Sequence, residues 1–242
     1  MKNCKILLIV PSYNEEGNVL KNYKRVIEYN KKNKTNYDVI VIDDGSTDLT
    51  KQICIDEGIP YISLVHNLGI GGAVQTGYKY ALKNHYDIAI QFDGDGQHDV
   101  RYVKNIIQPI LDGKADMVIG SRFIDKSSSK FQSSGARRMG INIISFFIRL
   151  VTGKKIYDTT SGFRAINKEL IEMFAKDYPV EYPEPVSTTK VLKNKYRVME
   201  VPVSMNERES GTSSLSKFWK QVYYMINVIL SVLLAGIGGN RR

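Results

Sequence analysis

Apolar and polar positions alternate between two regimes through the first half of the chain. Short continuous apolar runs, rich in β-branched residues, occupy 5–10, 37–42, 88–92 and 116–120, with a briefer one at 61–64. Such runs, bounded by turn residues, predict strands buried on both faces. Between them apolar residues recur at helical spacing, first as Val19, Leu20, Tyr23, Val26 and Ile27, then across about 73–84 and 100–111. The outer face of the first helix carries Lys21, Lys24, Arg25, Lys31, Lys32 and Lys34 and reads as solvated. Strands alternating with amphipathic helices predict an α/β fold, with a mostly parallel sheet covered on both faces.

After residue 120 the pattern changes. Residues 125–134 are polar and serine-rich and read as a mobile loop. An amphipathic helix opens at Arg137-Arg138 and reaches about Thr152. A polar stretch with glycine inside a candidate strand follows at 157–165, then a helix after Glu181-Tyr182-Pro183-Glu184-Pro185. Residues 196–205 alternate like a strand, and 206–214 form a second polar loop. From Leu215 the chain is aromatic and then apolar, without charge over 222–239. That length is about the 18 residues at which a membrane span becomes a candidate. Trp219, Tyr223 and Tyr224 cluster at one end as interfacial aromatics do, but Asn227 and Ser231 interrupt the run. The pattern favours an interfacial or partner-packed helix over a span, and a span over a plain core helix. The division expected is one large domain over 1–214 and an apolar, membrane-associating or partner-binding tail over 215–242.

Composition narrows the partners. A net charge of +9 on 242 residues favours nucleic acid, an anionic membrane or phosphorylated substrates. No zinc-finger, RNA-recognition or recognition-helix pattern is present, so nucleic acid falls away. Cys4 and Cys54 stand in no paired motif, which argues against a disulfide framework and for a reducing compartment. No secretory leader pattern precedes the first strand, so a cytoplasmic location is expected.

The candidate chemistry collects at strand ends. The strand at 88–92 runs into Asp93-Gly94-Asp95-Gly96-Gln97-His98, and the strand at 37–42 into Asp43-Asp44-Gly45-Ser46-Thr47-Asp48. In an open α/β sheet ligands bind at the carboxyl edge. Asp93, Asp95 and Gln97 are hard oxygen donors suited to Mg²⁺ or Mn²⁺ with gaps left for phosphate. An ion there would clamp a diphosphate. Gly69, Gly71 and Gly72 precede a helix amino terminus that can approach a phosphate, a weak signal alone. Arg122 ends the strand at 116–120. His66 and His85 are expected to be structural or exposed.

Together with Pro11-Ser12-Tyr13-Asn14-Glu15-Glu16 and Gly120-Ser121-Arg122, these motifs stand in the order that resembles family 2 glycosyltransferases, inverting enzymes of the GT-A fold. The resemblance covers 5 to about 210. Gln97, Arg122 and Thr160-Ser161-Gly162-Phe163-Arg164 resemble the polyprenyl-phosphate branch, typified by dolichyl-phosphate mannose synthase. It implies that Pro11, Tyr13 and Glu15 border the nucleoside, that Asp43 or Asp44 bonds the base, and that Asp93 acts through the nucleotide or metal. Asp95 and Gln97 would hold the metal on the diphosphate, with His98 at the donor phosphates or behind the ligands. Arg122, with Arg137 or Arg138, would grip an acceptor phosphate, a task suited to planar guanidinium. Arg208 and the loop after it would close over the diphosphate.

An anionic lipid phosphate needs clamps more than a base, whereas a sugar hydroxyl needs a carboxylate base, for which Glu184 is the candidate. The expected reaction is hexose transfer from a nucleoside diphosphate, uridine slightly favoured over guanosine, to an undecaprenyl-type phosphate for cell-surface glycan synthesis. The place expected is the inner membrane face, with the protein attached peripherally. The alternatives are transfer to a saccharide hydroxyl and a non-catalytic membrane-associated subunit. A second copy of the chain or a membrane protein is an open partner.

Overall fold

The structure, a computed structural model, describes residues 4–124, 135–205 and 218–237, without the side chains of 136, 137 and 218–222. The two polar loops expected at 125–134 and 206–214 therefore lie outside the described residues. Seven strands, β1 (Ile6–Ser12), β2 (Tyr37–Asp43), β3 (Tyr61–Ser63), β4 (Ile88–Gln91), β5 (Met117–Ser121), β6 (Arg164–Asn167) and β7 (Val198–Pro202), form one sheet in the order β3-β2-β1-β4-β6-β5-β7. Neighbours pair in parallel except where β6 runs against β4 and β5.

The helices are α1 (Val19–Asn33), α2 (Thr50–Asp56), α3 (Gly69–Lys83), α4 (Val103–Leu111), α5 (Gly135–Thr152), α6 (Lys168–Lys176), α7 (Pro183–Lys193) and α8 (Phe218–Ile237). They cover both faces of the sheet, and the period of two along β1 explains why every residue of it is apolar up to Val10. Leu7 and Ile9 enter one core with α3, α5, α6, α7 and α8. Ile6, Leu8 and Val10 enter the other with α1, α2 and α4. The six basic residues expected on the outer face of α1 are all exposed.

Strand β1 continues through Pro11, two residues further than its apolar run suggests. Its pairing with β4 ends at Ile9, so Pro11 lies past the point where a missing N–H would break that ladder. The chain order reverses between β1 and β4, which makes the carboxyl ends of those strands the switch point where such sheets bind ligands. Because β6 is antiparallel, it is its beginning, not its end, that lies at this same edge. The turn leading into β6 must therefore pass directly beneath the site.

Helix α6 was not anticipated in the sequence pattern, although its signals are there. Asn167 caps it by accepting from the Leu170 N–H, and Leu170, Ile171, Phe174 and Ala175 make its buried face. Among the described residues no helix is long and apolar enough to cross a membrane. Helix α8 instead docks on α5 and α7. Val228 and Val232 are fully buried, and the Tyr224 ring meets Tyr182 edge-on at 4.9 Å. Gly140 of α5 faces Met225 and Gly236 of α8 faces Val151, so small residues let these two helices approach.

Candidate active site

The loops after β1 and β2 are sewn into one wall. The Asn14 N–H donates to Ser46 Oγ, and the Thr47 N–H returns a bond to Asn14 Oδ1 at 2.9 Å. The Glu15 N–H donates to Thr50 Oγ1, and the Leu49 N–H to Glu16 Oε2. Asn14 takes a left-handed backbone (φ 54°) to make this exchange, a conformation asparagine tolerates well. Asp43, buried at the end of β2, accepts from the Ser46 N–H at 3.0 Å and Ser63 Oγ at 2.8 Å. Asp44 accepts from the Leu68 N–H at 2.7 Å, and burial pushes its pKa up. Both carboxylates thus brace the wall they belong to. Pro11 is buried, Glu15 is partly buried, and the Tyr13 ring is exposed at the rim.

Beside this wall the metal loop folds over β1. Gly94 lies so close to Pro11 that a Cβ there would sit 2.9 Å from the Pro11 carbonyl oxygen, and Gly96 supplies a positive φ of 80°. Asn22 of α1 ties the loop down through the Gly94 carbonyl. Asp95 is buried and accepts from the Gln97 N–H, while Asp93 remains partly exposed. His98 is buried against Phe163, ring over ring at 4.6 Å, and its Nδ1 accepts from the Asp93 N–H at 2.9 Å. Burial drives its pKa down to about 3. The imidazole is therefore neutral, with its proton on Nε2, which faces Asp93 Oδ2 at 3.4 Å. His98 braces Asp93 from behind and has no lone pair to give a metal.

The turn into β6 forms the floor, and each residue of 160–164 props a different part of the site. Thr160 Oγ1 accepts from Arg122 Nη2 at 3.1 Å, and Ser161 Oγ donates to the Gly120 carbonyl at 2.6 Å. Gly162 passes under Asp93, Phe163 stacks on His98, and Arg164, fully buried, donates to the Glu184 carbonyl at 3.0 Å. Glu184 itself opens α7 and turns inward. Gln91 Nε2 lies between Glu184 Oε1 at 3.4 Å and Asp93 Oδ1 at 3.5 Å, so the two carboxylates share one amide. Burial raises the Glu184 pKa, Arg164 opposes that shift, and Asp93 adds to it.

Residues 7–174 match the family model described as glycosyl transferase family 2, more than half of the chain. The chain belongs to that family. This glycosyltransferase is 33% identical over 224 residues to the UDP-N-acetylglucosamine–dolichyl-phosphate N-acetylglucosaminyltransferase of Methanococcus voltae, covering 84% of this chain and 86% of the relative. It is 27% identical to the undecaprenyl-phosphate mannosyltransferase of Micrococcus luteus, with 88% of each covered. Among solved structures, the glucosyl-3-phosphoglycerate synthase of Mycobacterium tuberculosis, in complex with Mn²⁺, UDP-glucose and phosphoglyceric acid, superposes with a TM-score of 0.67. That match is 18% identical and covers 97% of this chain and 80% of that one. The fold is the GT-A fold expected.

Several expected site residues of the glycosyltransferase need restating. Gly71, expected at the nucleotide, lies in the first turn of α3 so close to the Pro179 and Val180 backbone that no Cβ would fit. Arg208 and the Arg137 side chain lie outside the described residues. Arg138 sits with its guanidinium 3.9 Å from the Phe123 ring centre, and Arg122 reaches the same ring from 5.2 Å. Arg122 is also bound by Asp158, a buried acid to which the sequence pattern gave no role. His66 and His85 are exposed, as expected.

Among the described residues no group of three or more acidic, histidine or cysteine side chains could hold a metal. The donor set still fits an ion that takes phosphate oxygens. Asp93, Asp95 and Gln97 stand on one loop, and Mg²⁺ and Mn²⁺ are commonly held by one or two carboxylates plus substrate phosphate.

Proposed function

We propose that this glycosyltransferase moves a hexose from a nucleoside-diphosphate sugar to a polyprenyl phosphate, with inversion, for cell-surface glycan synthesis. The observation that carries the acceptor reading is the pair of guanidiniums, Arg122 and Arg138, that share the Phe123 ring at the edge of the site. A planar guanidinium meets phosphate oxygens in paired bonds, which suits both residues to that ligand. The names of the Methanococcus and Micrococcus relatives support the same acceptor class.

In this reading a lipid phosphate oxygen attacks the anomeric carbon from the face opposite the leaving group. The bond from that carbon to the donor's phosphate oxygen breaks, and the nucleoside diphosphate departs. The nucleophile is already anionic, so no base is required. Asp93, Asp95 and Gln97 would hold Mg²⁺ or Mn²⁺, which supplies charge neutralisation for the departing diphosphate. The braced wall of Pro11, Tyr13, Glu15, Asp43 and Asp44 would take the nucleoside, and we favour uridine over guanosine. Peripheral attachment to the inner membrane face is supported by exposed apolar side chains on two packed helices. These are Met139, Phe146 and Leu150 on α5, and Tyr223, Leu230 and Leu234 on α8.

Glu184 supports a second reading. Its carboxylate shares Gln91 with Asp93, and its raised pKa moves it toward the range of a general base for a saccharide hydroxyl. The test is radiolabel transfer from UDP- and GDP-hexoses, with Mg²⁺ or Mn²⁺, into undecaprenyl phosphate. Label entering the organic phase in the parent and in Glu184→Gln, but lost in Asp95→Asn and Arg138→Ala, supports the lipid-phosphate reading. Metal-dependent donor turnover with no lipid product, abolished by Glu184→Gln, would replace it with the saccharide reading.

A further inference from the structure

Arg122 leaves the end of β5 already oriented. Asp158, fully buried, accepts three bonds from it: the backbone N–H at 3.0 Å, Nε at 2.8 Å and Nη2 at 2.8 Å. Nη2 also donates to Thr160 Oγ1 at 3.1 Å. Asp158 is itself fixed from the neighbouring strand. Glu200 of β7, which pairs with Ile119 of β5, accepts the Asp158 N–H on Oε1 and the Tyr157 N–H on Oε2, both at 2.8 Å. A continuous run of charge-assisted bonds therefore leads from β7 to the guanidinium.

We infer that Asp158, Thr160 and Glu200 are positioning residues that set the Arg122 guanidinium for the acceptor phosphate. The inference rests on the lipid-phosphate reading. A free arginine gives up much rotamer freedom when it clamps an anion, and one held in place before the ligand arrives does not. The arrangement also divides the work between the two arginines. Asp158 offsets the charge of Arg122 and fixes its plane, so Arg122 supplies direction. Arg138 is held through the face of Phe123 and brings the additional positive charge that a phosphate needs.

The test uses the full chain with divalent metal, a labelled sugar nucleotide and undecaprenyl phosphate in detergent micelles. Thr160→Val removes one hydroxyl acceptor, Thr160→Ser keeps it, and Glu200→Gln weakens the hold on the 157–158 turn. The expected result is a KM for undecaprenyl phosphate raised about tenfold in Thr160→Val and Glu200→Gln, the fold-change of one lost charged hydrogen bond. In both, kcat at saturating acceptor and the donor KM stay at the parent values, and Thr160→Ser behaves as the parent. Parent-like acceptor KM in both variants would overturn the inference, as would equal shifts in donor and acceptor KM with a fall in melting temperature. If the parent itself transfers nothing to the lipid phosphate, the acceptor reading fails and the inference with it.

Discussion

A tight approach in the site lies where Gly162 passes under the metal loop, and it gives the sharpest prediction. A Cβ built on Gly162 would stand 2.9 Å from both carboxylate oxygens of Asp93 and 3.0 Å from Gln91 Nε2. Ordinary contact begins near 3.4 Å, so Gly162→Ala must push the Asp93 carboxylate back by about 0.5 Å. The carboxylate is the end of a short side chain that can turn about its own bonds, and the fold can give there. The expected cost in stability is about 1 kcal/mol, at the low end for overpacking. Activity is far less tolerant: misplacement by about 1 Å costs on the order of a hundredfold, so half that distance costs about tenfold. The assay is steady-state transfer at saturating donor, titrated with Mn²⁺, beside a urea denaturation curve. A tenfold lower kcat and a higher metal requirement, with a urea midpoint close to the parent's, is the expected pair of results. A fully active Gly162→Ala protein would refute the view that contact through Gly162 places Asp93. So would a loss of activity that merely followed unfolding.

Three further outcomes follow from buried charge. Asp158→Ala leaves the Arg122 guanidinium buried without its carboxylate, and should lower the stability seen in urea by about 3–5 kcal/mol. Burial raises the Glu184 carboxyl above its ordinary 4.5, so the folded state binds that proton more tightly than the unfolded chain does. Its contribution to stability is present below about 4.5 and is lost as pH rises through the raised folded value. The melting temperature of Glu184→Gln relative to the parent should therefore climb between acid and neutral pH, and a flat difference would contradict the shift. Burial also pushes the Cys54 thiol up to about 11, so a thiol reagent at about pH 8 should leave it unlabelled in native protein and label it in denaturant.

What could be read from the sequence, and what could not, divides along the range of the interactions. Strands of the first half were legible because a strand buried on both faces writes an unbroken apolar run, as 6–10 and 88–90 do. The acid pairs at 43–44 and 93–95 were legible because short-range order alone puts them at strand ends. The role of 160–164 was not. Its meaning depends on β6 entering the sheet antiparallel, and four residues of sheet do not announce their direction. Once that direction is known, a stretch that is only polar and glycine-containing on paper becomes a floor. Thr160 lies against Arg122, Gly162 under Asp93, Phe163 under His98 and Arg164 against α7.

Glu184 makes the same point from the other side. In the sequence it is a glutamate in the first turn of a helix, where the dipole alone would justify it. In the structure it has turned away from solvent toward Gln91, and the buried Arg164 that anchors its backbone carbonyl also offsets its charge. A helix-start glutamate serving the dipole gains nothing from leaving water. One that shares an amide with Asp93 bears the cost of partial desolvation, and the fold concentrates that cost at the centre of the site. The position of Glu184 is therefore what favours the sugar-hydroxyl reading, in which a base is needed, against the lipid-phosphate reading, in which it is not. The activity of Glu184→Gln toward each acceptor decides between them.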